Sequence, residues 1–92
     1  MKNEIKVGDC FRLDEEGSDG VFRVERIDGD ENWGITVGSS YGDCINTGDV
    51  WFDEYIAEVC TRITPDEFMA EFRKTLAKFN EIAKVDNNET EI

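Results

Sequence analysis

The 92-residue chain contains no histidine and a single proline, and none of its apolar runs approaches membrane-spanning length. Without histidine, the commonest general base and metal ligand at neutral pH is missing. The first ten residues contain no apolar segment of the kind that a secretory signal requires. A membrane-spanning helix needs about 18 consecutive apolar residues. We therefore expect a cytoplasmic protein without a membrane segment.

Positive charge is scarce as well. The chain has ten lysines and arginines and 22 aspartates and glutamates, which gives a formal net charge of −12. Residues 1–60 hold fifteen of the acids and five of the bases, a net −10. Such a field repels phosphate backbones and anionic membranes, so the sequence argues against direct binding to either. An acidic surface also keeps small proteins dispersed, so the charge alone indicates no function.

Motifs for catalysis are missing too. The three cysteines Cys10, Cys44 and Cys60 are widely spaced, and none has a basic partner in a local motif. They are predicted to be small buried hydrophobic side chains. The chain contains no CxxC pair, P-loop or GxGxxG motif. We therefore expect a non-enzymatic protein that holds no cofactor and no metal.

The stretch DGDENWG begins like a calcium loop, with Asp28, Asp30 and Asn32 at alternate positions. An EF-hand loop also needs glycine at its sixth position and glutamate at its twelfth. This chain has Trp33 and Ser39 there. Strand-like runs flank the stretch on both sides, and Asp-Gly is a typical hairpin dipeptide. The sequence predicts a hairpin turn and no calcium site.

The first two thirds of the chain is predicted to form β-strands. Apolar and polar residues alternate with period two over 5–13, 20–28 and 33–37. Residues 38–49 are rich in glycine and serine, which predicts a long connection holding at most a short strand. Residues 50–63 are predicted as one or two strands, with a break at an acidic pair.

A helix follows. Thr64-Pro65-Asp66-Glu67 is a capping box that marks its start. Downstream apolar residues recur at helical spacing and form one stripe, made of Phe68, Phe72, Leu76, Phe79 and Ala83. We predict a helix over 65–84 and a flexible tail over 85–92. The stripe is predicted to dock on the sheet of its own chain, with helix pairing between two chains as the alternative. We expect a monomer or a weak homodimer.

Together these elements predict one α+β, mainly β domain over residues 1–92. Residues 5–63 would form a small antiparallel five-stranded barrel or strongly bent sheet, packed by one C-terminal amphipathic helix. The opening IKVGDCFRL resembles the entry of Src-homology-like small β-barrels, the KOW, Tudor and chromo-like group. The segment ITPDEFMAEFRKTL is similar to the end of short uncharacterised proteins of gut bacteria and their phages. These resemblances imply a barrel and a bacterial or phage setting, and no functional residue.

The adjacent aromatics Trp51 and Phe52 point to opposite faces of a strand. The sequence favours coverage of the outer one by Phe68, Phe72 and Phe79 of the helix. The alternative is an exposed aromatic anchor within a binding surface. The candidate interaction surface joins the 38–49 connection to a set of aromatic and acidic residues: Tyr41, Asp49, Trp51, Asp53, Glu54 and Tyr55.

We therefore expect an acidic protein-interaction module whose protein partner is unidentified. Two alternatives stay open. One is an inhibitor that mimics nucleic-acid charge to occupy a basic site on a host protein, which the net −10 on residues 1–60 motivates. The other is a small-ligand-binding domain with a pocket lined by Tyr41 and Trp51.

Overall fold

The structure is a computed structural model that describes residues 4–14, 20–39 and 42–90. Its elements in chain order are β1 (Cys10–Leu13), β2 (Val21–Asp28), β3 (Glu31–Ser39), β4 (Gly42–Phe52), α1 (Asp53–Val59), β5 (Cys60–Ile63) and α2 (Pro65–Thr90). The strands form one antiparallel sheet in the order β4-β3-β2-β1-β5. Within the described ranges β4 and β5 do not pair, so the sheet is open. The mainly β fold with a C-terminal helix is confirmed, and closure into a barrel is not.

The turn between β2 and β3 confirms the hairpin predicted for DGDENWG. Asp28 pairs with Glu31, and only Gly29 and Asp30 lie between the two strands. Gly29 has a φ of 63°, a conformation that glycine adopts without steric cost. A two-residue turn of this kind matches the right-handed twist of the strands it joins.

Residues 38–63 differ most from the sequence prediction. The predicted 38–49 connection is largely β4, which pairs with β3 through contacts such as Val37 with Ile45 and Gly34 with Asp49. The predicted strands over 50–63 are the end of β4, then α1, then β5. Pairing with β3 overrides the weak strand propensity of the glycine, asparagine and aspartate residues in β4.

Alternation along the strands builds a separate apolar cluster on each face of the sheet. On the near face, which α1 covers, the buried residues are Phe11, Phe22, Val24, Trp51 and Ile56. On the far face, which α2 covers, they are Cys10, Val21, Val37 and Phe68. Neighbours such as Val21 and Phe22 belong to different clusters because successive strand residues point to opposite faces.

Gly34 allows β3 to approach β2 closely. A Cβ atom built on it would overlap the carbonyl oxygen of Arg23. The register between the two strands shifts between Val24 and Arg26, beside this contact. Such bulges bend a strand and increase its twist, so Gly34 belongs to the curvature of the sheet.

The start of α2 confirms the predicted capping box. The backbone N–H of Glu67 donates to Thr64 Oγ1 at 3.1 Å, and the N–H of Thr64 donates to Glu67 Oε1 at 3.1 Å. Glu67 Oε1 also accepts from the Thr64 hydroxyl at 3.1 Å. The bonds from the Thr64 N–H and hydroxyl hold the pKa of the Glu67 carboxyl below its usual value, because both are strongest when the carboxyl is ionised. The helix ends at Thr90, beyond the end predicted at residue 84.

The apolar stripe of α2 docks on the sheet through its first half only. Phe68 is 2% exposed, and Phe72 packs against the far-face cluster. Farther along the helix Leu76 and Phe79 are 39% and 37% exposed, and Ile82 reaches 60%. We call residues 76–83 the free half of α2, because their apolar side chains are exposed and they are linked to the sheet by the surface ion pair of Lys78 with Asp43. Neither helix of the described chain has an apolar span of membrane-crossing length.

Candidate functional site

The structure gathers most of the predicted surface residues where β4 ends and α1 begins. Asp49 and Trp51 lie on β4, and Asp53, Glu54 and Tyr55 form the first turn of α1. Tyr41 lies outside the described residues. The strand and the helix are continuous here, so this corner presents both strand and helix side chains.

Trp51 belongs to the core and is not an exposed anchor. It is 8% exposed, stacks on Phe22 with ring centroids 4.5 Å apart, and meets Tyr55 edge-on at 5.5 Å. The exposed aromatic of the pair is Phe52, with 46% of its surface open to solvent. Because α2 docks farther along the far face, its phenylalanines leave Phe52 exposed, contrary to the coverage that the sequence favours.

A buried amide holds the corner together. Asn32 is fully buried, and its Nδ2 donates to the carbonyl oxygen of Trp51 at 3.0 Å and to Asp53 Oδ1 at 2.8 Å. The backbone N–H of Asp53 donates to the carbonyl oxygen of Asp30 at 3.0 Å. These bonds fix the direction in which the chain leaves β4, and α1 therefore starts without a side-chain cap on its own N-terminus.

Asp49 supports the same corner from within β4. Its Oδ2 accepts hydrogen bonds from the hydroxyl of Thr36 at 2.8 Å and from the indole N–H of Trp51 at 3.3 Å. An indole N–H that is largely buried needs such an acceptor, since leaving it unpaired costs free energy. Asp49 thus orients Trp51, a structural role that its prediction as a rim residue did not include.

Beside the corner lies an open apolar groove. It is lined by Val50, Trp51, Phe52 and Tyr55 and has a volume of about 300 Å³. Phe52 forms its most exposed wall, and the half-buried Tyr55 forms the wall on the helix side. An exposed apolar patch with a polar rim is typical of a binding surface.

The groove lies in the longest stretch of the chain without a basic residue. Residues 27–61 contain no lysine, arginine or histidine and eight acidic residues, namely Asp28, Asp30, Glu31, Asp43, Asp49, Asp53, Glu54 and Glu58. Glu54 and Glu58 are exposed and lie one helical turn apart on α1. Neither has an ion-pair partner among the described residues. We define the β4–α1 surface as Val50, Phe52, Glu54, Tyr55 and Glu58.

Ion pairs elsewhere offset part of the acidic charge. Arg62 pairs with Asp9 at 2.7 Å, Arg23 with Glu25 at 2.9 Å, and Lys78 with Asp43 at 3.0 Å. Lys78 and Asp43 link α2 to β4, on the side of the molecule away from α1. These three ion pairs do not include Glu54 or Glu58 of the β4–α1 surface.

A second, smaller cleft lies under α1. It has a volume of about 70 Å³ and is lined by Ile5, Phe11, Asp53, Ile56, Ala57, Cys60 and Arg62. This space has room for a few waters and is too small for a metabolite. In the described ranges no group of three histidine, cysteine or acidic residues is placed to hold a metal ion. Burial raises the pKa of the Cys10 thiol, which disfavours its reactive thiolate form.

Sequence reasoning missed Phe52, Asn32 and the helix between β4 and β5. The helix had a local signal, since Tyr55, Ile56 and Val59 follow helical spacing behind two acids that favour a helix start. The role of Asn32 had none, because its partners are 19 and 21 residues away.

Comparison with known protein families, with curated proteins and with solved structures finds no match for this chain.

Proposed function

We propose that the protein is a non-enzymatic interaction module that binds a protein partner through the β4–α1 surface. The observation that carries this proposal is the exposed Phe52 beside an apolar groove, in a part of the chain that has acids and no bases. The resemblances to Src-homology-like barrels and to gut bacterial or phage proteins stay predictions and assign no residue.

The surface offers two kinds of contact. An aromatic side chain carries about 150–250 Å² of surface, so covering the exposed part of Phe52 contributes about 2 kcal/mol to binding. Glu54 and Glu58 attract basic side chains, and they act mainly on the rate of encounter and the choice of partner. A partner with an apolar contact flanked by lysine or arginine fits both features.

The test is affinity capture from the native host with the wild-type protein and two matched variants. Phe52→Ala removes the exposed aromatic of the surface. Ile82→Ala removes an apolar side chain from the free half of α2 that is more exposed than Phe52. We expect a captured protein that Ile82→Ala retains and whose affinity Phe52→Ala reduces by about 30-fold.

The opposite result would assign partner binding to a different surface of the protein. Loss of the captured protein with Ile82→Ala and retention with Phe52→Ala would assign binding to α2. Both variants replace exposed side chains, so unchanged melting curves should accompany either result.

Mimicry of nucleic-acid charge is a second candidate, favoured by the run of eight acids without a base over residues 27–61. The two candidate functions differ in the role of Phe52, because a phosphate mimic binds its partner through charge and not through an exposed aromatic side chain. Binding of this kind weakens steeply with salt and is lost in Glu54→Gln/Glu58→Gln, while Phe52→Ala retains it. Partner affinity that is unchanged between low and high salt would exclude it.

A further inference from the structure

β4 is an edge strand with an unusual amount of free edge. It has 11 residues and is the longest strand of the sheet, while the other edge strand, β5, has only four. In the described parts of the chain only β3 pairs with β4. An edge strand of this length presents a row of backbone donors and acceptors that can pair with another chain.

Two backbone donors of β4 bond to side chains of the same strand. The N–H of Gly48 donates to Asn46 Oδ1 at 3.2 Å, and the N–H of Val50 donates to Asp49 Oδ1 at 3.1 Å. The N–H of Asp53 donates to the carbonyl oxygen of Asp30 beside β3, so by alternation the N–H of Val50 faces away from β3. Gly48 lies where the register of β4 with β3 shifts, between the pairs Gly34–Asp49 and Thr36–Asn46, and its N–H bonds to the side chain of Asn46. Short side chains of β4 thus bond to donors that a neighbouring strand would use.

We propose that the partner binds as an extended basic segment that adds a sixth strand to the sheet along β4. This inference rests on the proposed function, since it uses the β4–α1 surface and specifies how that surface is used. Carbonyl groups of the added strand replace the side-chain oxygens at Gly48 and Val50. Main-chain bonds of this kind supply affinity, and the groove supplies selectivity for side chains.

Charge selects a basic segment over a second copy of this chain. β4 carries Asp43 and Asp49 and no basic residue. Two copies of β4 side by side would bring these acids together, and like charges across a strand pair are destabilising. The net charge of −12 on each chain adds to that repulsion. Lysine or arginine on the added strand replaces both repulsions, the local one across the strand pair and the overall one between the two net charges, with attraction.

The groove and the acids beside it determine which side chains the added segment needs and at which positions. An apolar side chain enters the groove between Phe52 and Tyr55, within its volume of about 300 Å³. On the added strand, the residues directly before and after this apolar residue point to the other face. The residues two positions away point to the same face as the apolar residue and reach the level of Glu54 and Glu58. A segment with an aromatic residue and a basic residue two positions to either side of it meets these requirements.

The probe for the test is the acetylated, amidated heptapeptide Thr-Lys-Val-Phe-Val-Lys-Thr, titrated at physiological salt. Its two lysines share a strand face with the phenylalanine. Two further peptides have the same sequence with N-methyl groups on alternate residues, one on the lysines and the phenylalanine and one on the valines and the last threonine. Alternate N–H groups of a strand face opposite sides, so one methylated peptide loses the donors that face β4 and the other does not. We expect one of them to bind about tenfold or more weakly and the other to bind like the parent.

Gly48 provides the matching pair of variants on the protein. Gly48→Pro removes the N–H that bonds to Asn46, and edge strands tolerate proline where that group faces solvent. Gly48→Ala keeps the N–H, and its added Cβ meets nothing within 4 Å. We expect Gly48→Pro to weaken the parent peptide by about threefold to tenfold and Gly48→Ala to leave its affinity unchanged. If Gly48→Pro melts early, the methylated peptides decide the question with the wild-type protein.

The outcomes separate this inference from the proposed function. Equal binding of all three peptides, together with loss of binding in Phe52→Ala, overturns strand addition and leaves the surface in place. Equal binding that Phe52→Ala does not change contradicts both. No binding of the parent peptide, or equal binding of a version with glutamate in place of lysine, overturns the basic segment as the partner.

Discussion

The near face of the sheet is closed by α1, a seven-residue helix without a side-chain cap, and the far face by α2, a 26-residue helix with a complete capping box. α1 is anchored by one fully packed residue, Ile56, and by the Asn32 bonds at its start. α2 is anchored by Phe68 and Phe72 and extends beyond its contact with the sheet.

The two helices form for different reasons. A helix of seven residues is unstable alone, because nucleation is costly and few hydrogen bonds follow it. α1 therefore depends on the near-face cluster, and a disturbance there should unfold the helix and the β4–α1 surface with it. α2 carries its own start signal, and its apolar packing on the sheet is confined to its first half. Three substitutions test this contrast.

Phe22→Ala should have the largest effect. Phe22 is fully buried and stacks on Trp51, so its removal leaves a cavity under α1. Truncating a buried phenylalanine costs about 3–5 kcal/mol, a large part of the stability of a domain of this size. Urea denaturation followed by tryptophan fluorescence measures the loss. Ile27→Ala, on the exposed end of the same strand, is the control, and similar losses for both would contradict the role given to the near-face cluster.

Thr64→Ala should have an intermediate effect that is confined to the far face. It removes the hydroxyl that accepts from the Glu67 N–H, a cap interaction that contributes about 1 kcal/mol. The control Thr47→Ala makes the same chemical change at an exposed position of β4. Thermal unfolding followed by circular dichroism measures both variants. A Thr64→Ala protein as stable as the control would mean that α2 gains nothing from its cap.

Asp9→Asn should have the smallest effect and should depend on pH. Burial acts to raise the pKa of Asp9, but the hydrogen bond from Arg62 and that from the Lys6 N–H outweigh it, so the pKa lies below its usual value. A lowered carboxyl pKa stabilises the fold above the unfolded pKa, and this contribution is lost as pH falls through the folded pKa. Since the pair is partly exposed, we expect less than about 1 kcal/mol at pH 7.

The measurement is the melting temperature of wild type and Asp9→Asn from pH 7 to pH 3. The difference should be fully present at neutral pH and should shrink as the pH falls below the ordinary carboxyl pKa of 3.8 toward the lowered folded pKa. Arg62→Gln removes the other partner, and the double variant should lose less than the sum of the two single losses. Because Arg62 also lies over the ring of Phe11, its single loss should be the larger. A difference at pH 3 as large as that at pH 7 would show that Asp9 stabilises through packing.

Local signals predicted the parts of the fold that local interactions form. The Asp28-Gly29 turn, the alternation in β2 and the Thr64 capping box depend on neighbours within a few residues, and all are present. β4 was missed because Gly42, Asn46 and Gly48 disfavour strands, and its form comes from pairing with β3. In the candidate site, the sequence predicted which residues form the corner between β4 and α1, but not which of their side chains face the core. Whether Trp51 or Phe52 faces inward depends on the register with β3, which no local pattern gives.

The free half of α2 has a consequence for how the molecule moves in solution. A helix of 26 residues is about 39 Å long, and the molecule extends 60 × 27 × 21 Å. Its radius of gyration is 15.3 Å, whereas a compact chain of this length has about 12 Å. Such a body experiences more friction than a sphere of equal mass, so a single chain of 10.5 kDa will leave a sizing column ahead of compact standards of that mass. Elution volume would then report a dimer where there is one chain, and light scattering is the measurement that separates shape from mass.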